Sequence, residues 1–285
     1  MSRVAVWLCG AALAWPQTAS RPAFEVASVK ASVANSRSNT NIPLGPGDAF
    51  AATGGSFSAT GFPLEAYIVF AYKLSGNQVQ ALRAQLPGWT ATDPYDILAK
   101  AAGNPTKDEY RMMLRALLAE RFQLAMHEET REVPVAAMVM AKEGKLGPQL
   151  RAHTDNEPCP LDAAPGAMTP DGRFPLLCGG LVQLQPSVRG RLRFGGRNIT
   201  IEFIGRALSA GTASGRPLVD ETGLSGKFDF SVEFTQEGRS PVNEADAAAP
   251  TLEDALRDQL GFKLVSRKAP QTVLVVNHVA RPTEN

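Results

Sequence analysis

The sequence holds little with which to run the commoner enzyme chemistries. Only three histidines occur in 285 residues, His127, His153 and His278, and no two stand at the spacing that puts a pair on one zinc ion. No G-x-S-x-G elbow is present, no glycine loop ends in Lys-Ser or Lys-Thr, and no dinucleotide glycine pattern opens a helix after a strand. Nucleophile-elbow hydrolysis, phosphate cradling and dinucleotide binding are therefore unsupported. Charge of one sign is missing too: 29 Lys and Arg against 28 Asp and Glu leave a net +1. With no basic run to track phosphates, nucleic acid is not an expected partner. No catalytic residue, cofactor or metal ligand is assigned, and the chain is expected not to be an enzyme.

Long apolar runs are also scarce, and the one that stands out is at the start. Met1-Ser2-Arg3 is followed by apolar Val4 to Trp15 and by the small residues Thr18-Ala19-Ser20, the pattern of a secretory signal peptide over 1–20. The run is shorter than the ~20 residues that span a bilayer. No later segment is long and apolar enough, so no integral span is expected after cleavage. Cys9 lacks the preceding small residue of a lipidation site. The expected address is periplasmic or secreted.

Removing that segment leaves two cysteines, Cys159 and Cys178. An even count in an oxidising compartment favours a disulfide, worth roughly 3 kcal/mol on the loop-entropy model; two buried thiols are the alternative.

What the sequence does have is internal similarity. Gly55 to Thr60 reads as a strand, and Pro63-Leu64-Glu65 opens a helix presenting Leu64, Tyr67, Ile68 and Ala71. Tyr95 to Ala99 reads as a strand; Thr106 and Glu109 make a capping box before Tyr110, Met113, Leu114, Leu117 and Leu118. Two strands close this unit, Phe122 to His127 and Val133 to Ala141. The second half runs the same way. A strand around Arg191 to Phe194 leads to a helix capped by Asn198, then a strand Gly226 to Phe234, a box of Thr251 with Asp254, a helix ended by Gly261, and two closing strands. The expected fold class is α+β, as two pseudo-repeats of a strand-helix-strand-helix-strand-strand unit. The domains read as 21–141 (first repeat with an N-terminal extension), 142–189 (a cysteine-flanked connector with an extra hairpin or pinned excursion) and 190–285 (second repeat). Ala31 to Ala49 and Glu237 to Ala249 read as irregular.

The most distinctive segment is Pro217 to Phe230. Its Asp220-Glu221-Thr222-Gly223 departs from the Asp-Thr-Gly of aspartic proteases, and no second copy supplies a paired carboxylate. The candidate here is a structural or binding turn made by Asp220, Thr222, Gly223, Gly226 and Asp229. A hydrolase rival would need two of Asp96, Asp220 and Asp229 to converge in a cleft. Trp89 reads as a packing aromatic.

Phe24 to Lys30, Pro87-Gly88-Trp89 with Tyr95-Asp96-Ile97, Leu117 to Leu124, Cys178-Gly179, Thr222-Gly223-Leu224, Gly226 to Asp229 and Gln259 to Leu264 together resemble a family of exported proteins of unknown function, expanded in soil acidobacteria. The resemblance spans essentially the whole mature chain. It implies extracytoplasmic placement without an assigned activity, and the fusion of similar modules to membrane metallopeptidases implies a sensor or interaction role. The leading reading is a non-enzymatic exported module binding a protein, peptide or cell-envelope component. A carboxylate-dependent exported hydrolase and a sensor working with a membrane metallopeptidase are the alternatives.

Overall fold

Alternation of buried and solvated residues builds the first sheet. The computed structural model describes residues 22–33, 36–48, 50–74, 76–154, 156–160, 163–164, 166–212, 215–235 and 250–282. The expected signal peptide and the 237–249 segment lie outside them. Strands β1 (Val26–Ala31), β2 (Asn39–Thr40), β3 (Ser56–Pro63) and β4 (Pro94–Lys100) form an antiparallel sheet in the order β1-β4-β3-β2. Phe57 and Ala59 of β3 point inward, with Val29 and Ile97 from its neighbours, because side chains alternate along a strand. Helices α1 (Leu64–Ala71) and α4 (Lys107–Arg121) cover that face. Tyr67 on α1 donates its hydroxyl hydrogen bond toward the carbonyls of Ala59 (2.9 Å) and Tyr95 (2.8 Å), tying the helix to the bulge in β3. Two short helices, α2 (Asn77–Arg83) and α3 (Trp89–Thr92), lie between α1 and β4.

The second antiparallel sheet takes β6 (Leu150–Ala152), β7 (Val182–Leu184), β8 (Leu192–Ile199) and β10 (Phe228–Phe234) in the order β6-β10-β8-β7. Over it pack α5 (Ile201–Leu208) and α6 (Leu252–Ala255), the latter continuing as a π turn through Leu256–Leu260 to Gly261 in the left-handed conformation. Both capping boxes form, Thr106 with Glu109 and Thr251 with Asp254. The cap of α5 is Thr200, which accepts from the Phe203 amide, and not Asn198, which sits at φ 54° just inside β8.

A third sheet, β11-β5-β9, joins the two lobes. Strand β5 (Ala125–Met140) pairs antiparallel with β11 (Phe262–His278) over nearly its whole length, and β9 (Leu218–Asp220) lies parallel to β5 at Ala136–Met138. The α+β class holds, but the expected closing pair of strands in each unit is one long strand. The charged residues of Glu128 to Glu132 lie between the two strands expected at the end of the first unit. In the structure the charges are solvated at the middle of the ribbon. Pro134 stands opposite Lys268 and Pro270 opposite Glu132, flanking the Val133–Ala269 pair. At those positions the N–H faces away from the partner strand, so proline removes no ladder bond. Met126, Leu274 and Val276, near one end of the ribbon, pack on the first core; Met138, Phe262 and Leu264, toward the other, join the second.

The cysteine-flanked connector holds β6 and β7, the edge strands of the second sheet, just as β1 and β2 are those of the first, and an isolated antiparallel bridge between Met168 and Pro175. Outside β1 and β2 the described residues of 31–49 are irregular, and they are pinned: the buried Arg111 guanidinium holds the carbonyls of Pro46 (3.1 Å) and Gly47 (2.8 Å), and the Asp48 amide donates to Gly179 in the second lobe (3.1 Å).

Candidate functional site, a groove between the lobes

The lobes meet where α2 approaches the end of α5. Ser209 Oγ bonds Asn77 Oδ1 (3.0 Å), and the Asn77 side-chain amide reaches the Gly215 carbonyl (3.5 Å). On the other flank of α2, Arg83 grips the buried Glu65 of α1 through Nε and Nη2 at 2.5–3.2 Å. These contacts fix α2 as one wall of a groove of about 730 Å³. Asn77, Gln78, Ala81 and Gln85 line that wall; Glu202, Arg206 and Pro217 to Asp220 line the opposite one; Arg131 and Val133 of β5 and Gln271 to Val275 of β11 complete it. Two arginines and two acids balance, so the groove selects neither a strong anion nor a strong cation.

β11 is an edge strand. Gln85 lays its carboxamide along that edge: Nε2 donates to the Leu274 carbonyl (3.0 Å) and Oε1 accepts from the Val276 N–H (3.0 Å). Backbone polar groups of alternate residues face the same side of a strand. Thr272, exposed and two residues before Leu274, therefore turns its N–H and C=O outward, where no described residue bonds them. On β5 the matching edge is covered. There the Ala136 N–H donates to the Pro217 carbonyl and the Glu221 N–H to the Met138 carbonyl, both 2.9 Å. A half-turn about the Val133–Ala269 pair exchanges Ala136 with Thr272 and Met138 with Leu274. Among the described residues, the place that β9 fills beside β5 is thus filled beside β11 only by one side-chain amide.

The turn singled out in the sequence begins on this wall. Asp220 Oδ1 accepts from the Thr222 amide (2.9 Å) and hydroxyl (2.8 Å), the Thr222 hydroxyl accepts from the Leu224 amide (3.2 Å), and Gly223 and Gly226 adopt φ 72° and 99°. Asp229 does not join them. It is fully buried on β10, where Oδ1 bonds His153 Nδ1 (2.7 Å) and accepts from the Asn198 amide (3.1 Å), and Oδ2 accepts from Arg151 (2.9 Å). Arg197, also buried, lies 3.6 Å from Oδ2 and donates to Glu157 (2.8 Å). Beside this cluster Cys159 and Cys178 are joined by a disulfide, with Cα atoms 5.5 Å apart.

The three carboxylates of the hydrolase reading sit apart in function. Asp96 accepts from the Gly61 amide (2.8 Å) and the Ser32 hydroxyl at the β3 bulge, Asp220 makes its turn and Asp229 its buried cluster; they share no hydrogen-bond partner among the described residues. His127 bonds Asn277 and Glu129 on the exposed ribbon, whereas His153, just past the end of β6, has a side chain only 3% exposed. Trp89 packs on the first core under the Arg281 guanidinium, 5.1 Å from its ring. Sequence reasoning missed Gln85 and Thr272, because a free strand edge is a property of strand pairing.

A family model described as a protein of unknown function, DUF3738, matches residues 65–279. The chain belongs to that family. No curated protein and no solved structure matches it. No helix of the described residues is long and apolar enough to cross a membrane.

Proposed function

We propose, starting from membership of a family without an assigned activity, that this protein is a non-enzymatic extracytoplasmic module that binds an extended peptide segment of a protein or cell-envelope partner in the groove. The observation that carries the reading is the free edge of β11 at Thr272. An added strand running parallel to β11 would take the outward N–H and C=O as β9 takes those of β5, main-chain bonds giving affinity and the walls giving side-chain selectivity. The balanced charge of the lining favours a neutral segment. We further propose that the two lobes are duplicated units. The matching strand orders of the two four-stranded sheets, the paired capping boxes and the prolines placed symmetrically in the ribbon support this reading. Export is supported by the N-terminal pattern of the sequence and the disulfide.

Short random peptides selected on the disulfide-bonded chain test the binding reading. Selected peptides are expected to lose at least tenfold in affinity to Thr272→Pro, which removes the outward N–H and leaves the β5 ladder, and to Ala81→Trp, which fills the groove. Failure to enrich any peptide, or binding indifferent to both substitutions, overturns the reading. Intact-mass measurement of protein recovered outside the cytoplasm tests export; retention of residues 1–20 would contradict it.

A further inference from the structure

The disulfide lies against a histidine whose orientation a merely structural bridge does not require. His153 Nδ1 is bonded to Asp229 Oδ1 at 2.7 Å, and Nε2 points at Cys159 Sγ, 4.0 Å away. A carboxylate paired with arginine carries no proton, so in the neutral ring the Nδ1 bears the hydrogen and Nε2 presents its lone pair to the sulfur. That lone pair has nothing to accept from a disulfide. It has a donor as soon as Cys159 becomes a thiol.

We propose that Cys159–Cys178 is a reversible thiol–disulfide exchange centre for an external dithiol, with Cys159 as the exchanging sulfur and His153, held by Asp229, as its proton acceptor. Access distinguishes the two residues: Cys178 is 6% exposed, whereas Cys159 is half-buried. The buried setting of His153 and Asp229 strengthens a thiolate–imidazolium pair relative to the same pair in water. Asp229, Arg151, Arg197 and Glu157 are the charged groups around it, two acids against two arginines. Protonating His153 therefore adds the positive charge that a thiolate at Cys159 needs.

The steps balance. One thiolate of the dithiol attacks Cys159 Sγ, the Cys159–Cys178 bond breaks, and Cys178 departs as a thiolate that takes a proton from solvent. The second thiol of the reductant gives its proton to His153 Nε2 as its sulfur attacks the reductant sulfur already bound in the mixed disulfide, and Cys159 is released as a thiolate facing protonated His153. Two electrons pass from the dithiol, which leaves as a disulfide, to the protein, which ends with Cys178 as a thiol and Cys159 as a thiolate paired with protonated His153. Run backwards, the same steps let reduced Cys159 reduce a disulfide of the same class. None of these residues lines the groove, so this centre stands or falls independently of peptide binding.

The test uses the full chain with dithiothreitol and its oxidised form as the exchange couple, and thiol trapping as the readout. The folded wild-type protein is expected to equilibrate with the couple, and His153→Gln to shift the equilibrium toward the disulfide by about tenfold. In Cys178→Ser, alkylation of Cys159 by iodoacetamide at pH 6.5 is expected to run about tenfold faster than in the same variant carrying His153→Gln, with the difference vanishing at high pH. Should Cys178→Ser not fold, the rate of wild-type reduction against pH, with and without His153→Gln, carries the same information. Reduction only on unfolding, or reactivity indifferent to His153, overturns the proposal. So does a His153-dependent change that appears only with added zinc, because His153 Nε2 and both sulfurs lie within 4.8 Å of one another and that result would assign a metal site to the reduced form.

Discussion

Gly76 lies so close to Arg206 that a Cβ on the glycine would stand 2.3 Å from the arginine's backbone carbonyl oxygen, and its φ of 55° is one that other residues avoid. This contact joins the first lobe to the second at the end of the groove. Gly76→Ala is expected to destabilise the protein by roughly 1–3 kcal/mol, from dihedral strain and from forcing α2 off α5. Gly54→Ala separates the two causes, since Gly54 has φ 62° with nothing within 4 Å of its added Cβ. Denaturant midpoints of the two variants that fall by the same amount would show that the inter-lobe contact carries no weight.

Gln85 anchors the wall of the groove to the edge of β11 by two hydrogen bonds. Gln85→Ala should cost about 1–2 kcal/mol and speed hydrogen exchange at the Val276 amide. The Ala136 amide, bonded to the backbone of Pro217, should be unaffected. Equal protection of Val276 in both proteins would contradict the assignment.

Lys107 makes stability depend on alkaline pH. Its side chain is buried against Phe70 and donates to the Gly47 carbonyl (2.6 Å); burial, reinforced by repulsion from Arg111 and partly offset by Asp48, pushes its pKa down to about 8. Between about pH 8 and the ordinary lysine value of roughly 10.4 the unfolded chain binds the extra proton, so stability rises with pH through that window and the penalty is fully present below it. The effect is on the order of 3 kcal/mol. Thermal melts of wild type and Lys107→Met at pH 7 and pH 10 should show their difference changing in favour of wild type at the higher pH.

Asp229→Asn leaves Arg151, Arg197 and His153 around a neutral amide in a buried site and should cost about 3–5 kcal/mol. Glu157→Gln, at a partly exposed member of the same cluster, should cost under about 1.5 kcal/mol. Equal urea midpoints for the two variants would mean that solvent reaches Asp229.

Much of the chain was legible because its signals are local. Thr106 with Glu109 and Thr251 with Asp254 announce helix starts within four residues, Gly261 announces a stop, and Leu64, Tyr67 and Ile68 announce a buried helical face. A hydrogen bond from a side chain to its own neighbourhood needs no knowledge of the rest of the fold. The sequence by itself therefore determined the α+β class and the order of most helices and strands. Only the tertiary structure decided that each closing pair of strands is a single strand, that 150–152 and 182–184 complete the second sheet, that His153 and Asp229 meet beside the disulfide, and that β11 keeps a free edge at Thr272. Each of those depends on pairing between residues far apart in sequence, with Val133 opposite Ala269 and Arg151 opposite Asp229. Such register is set by packing and topology, which no local pattern encodes.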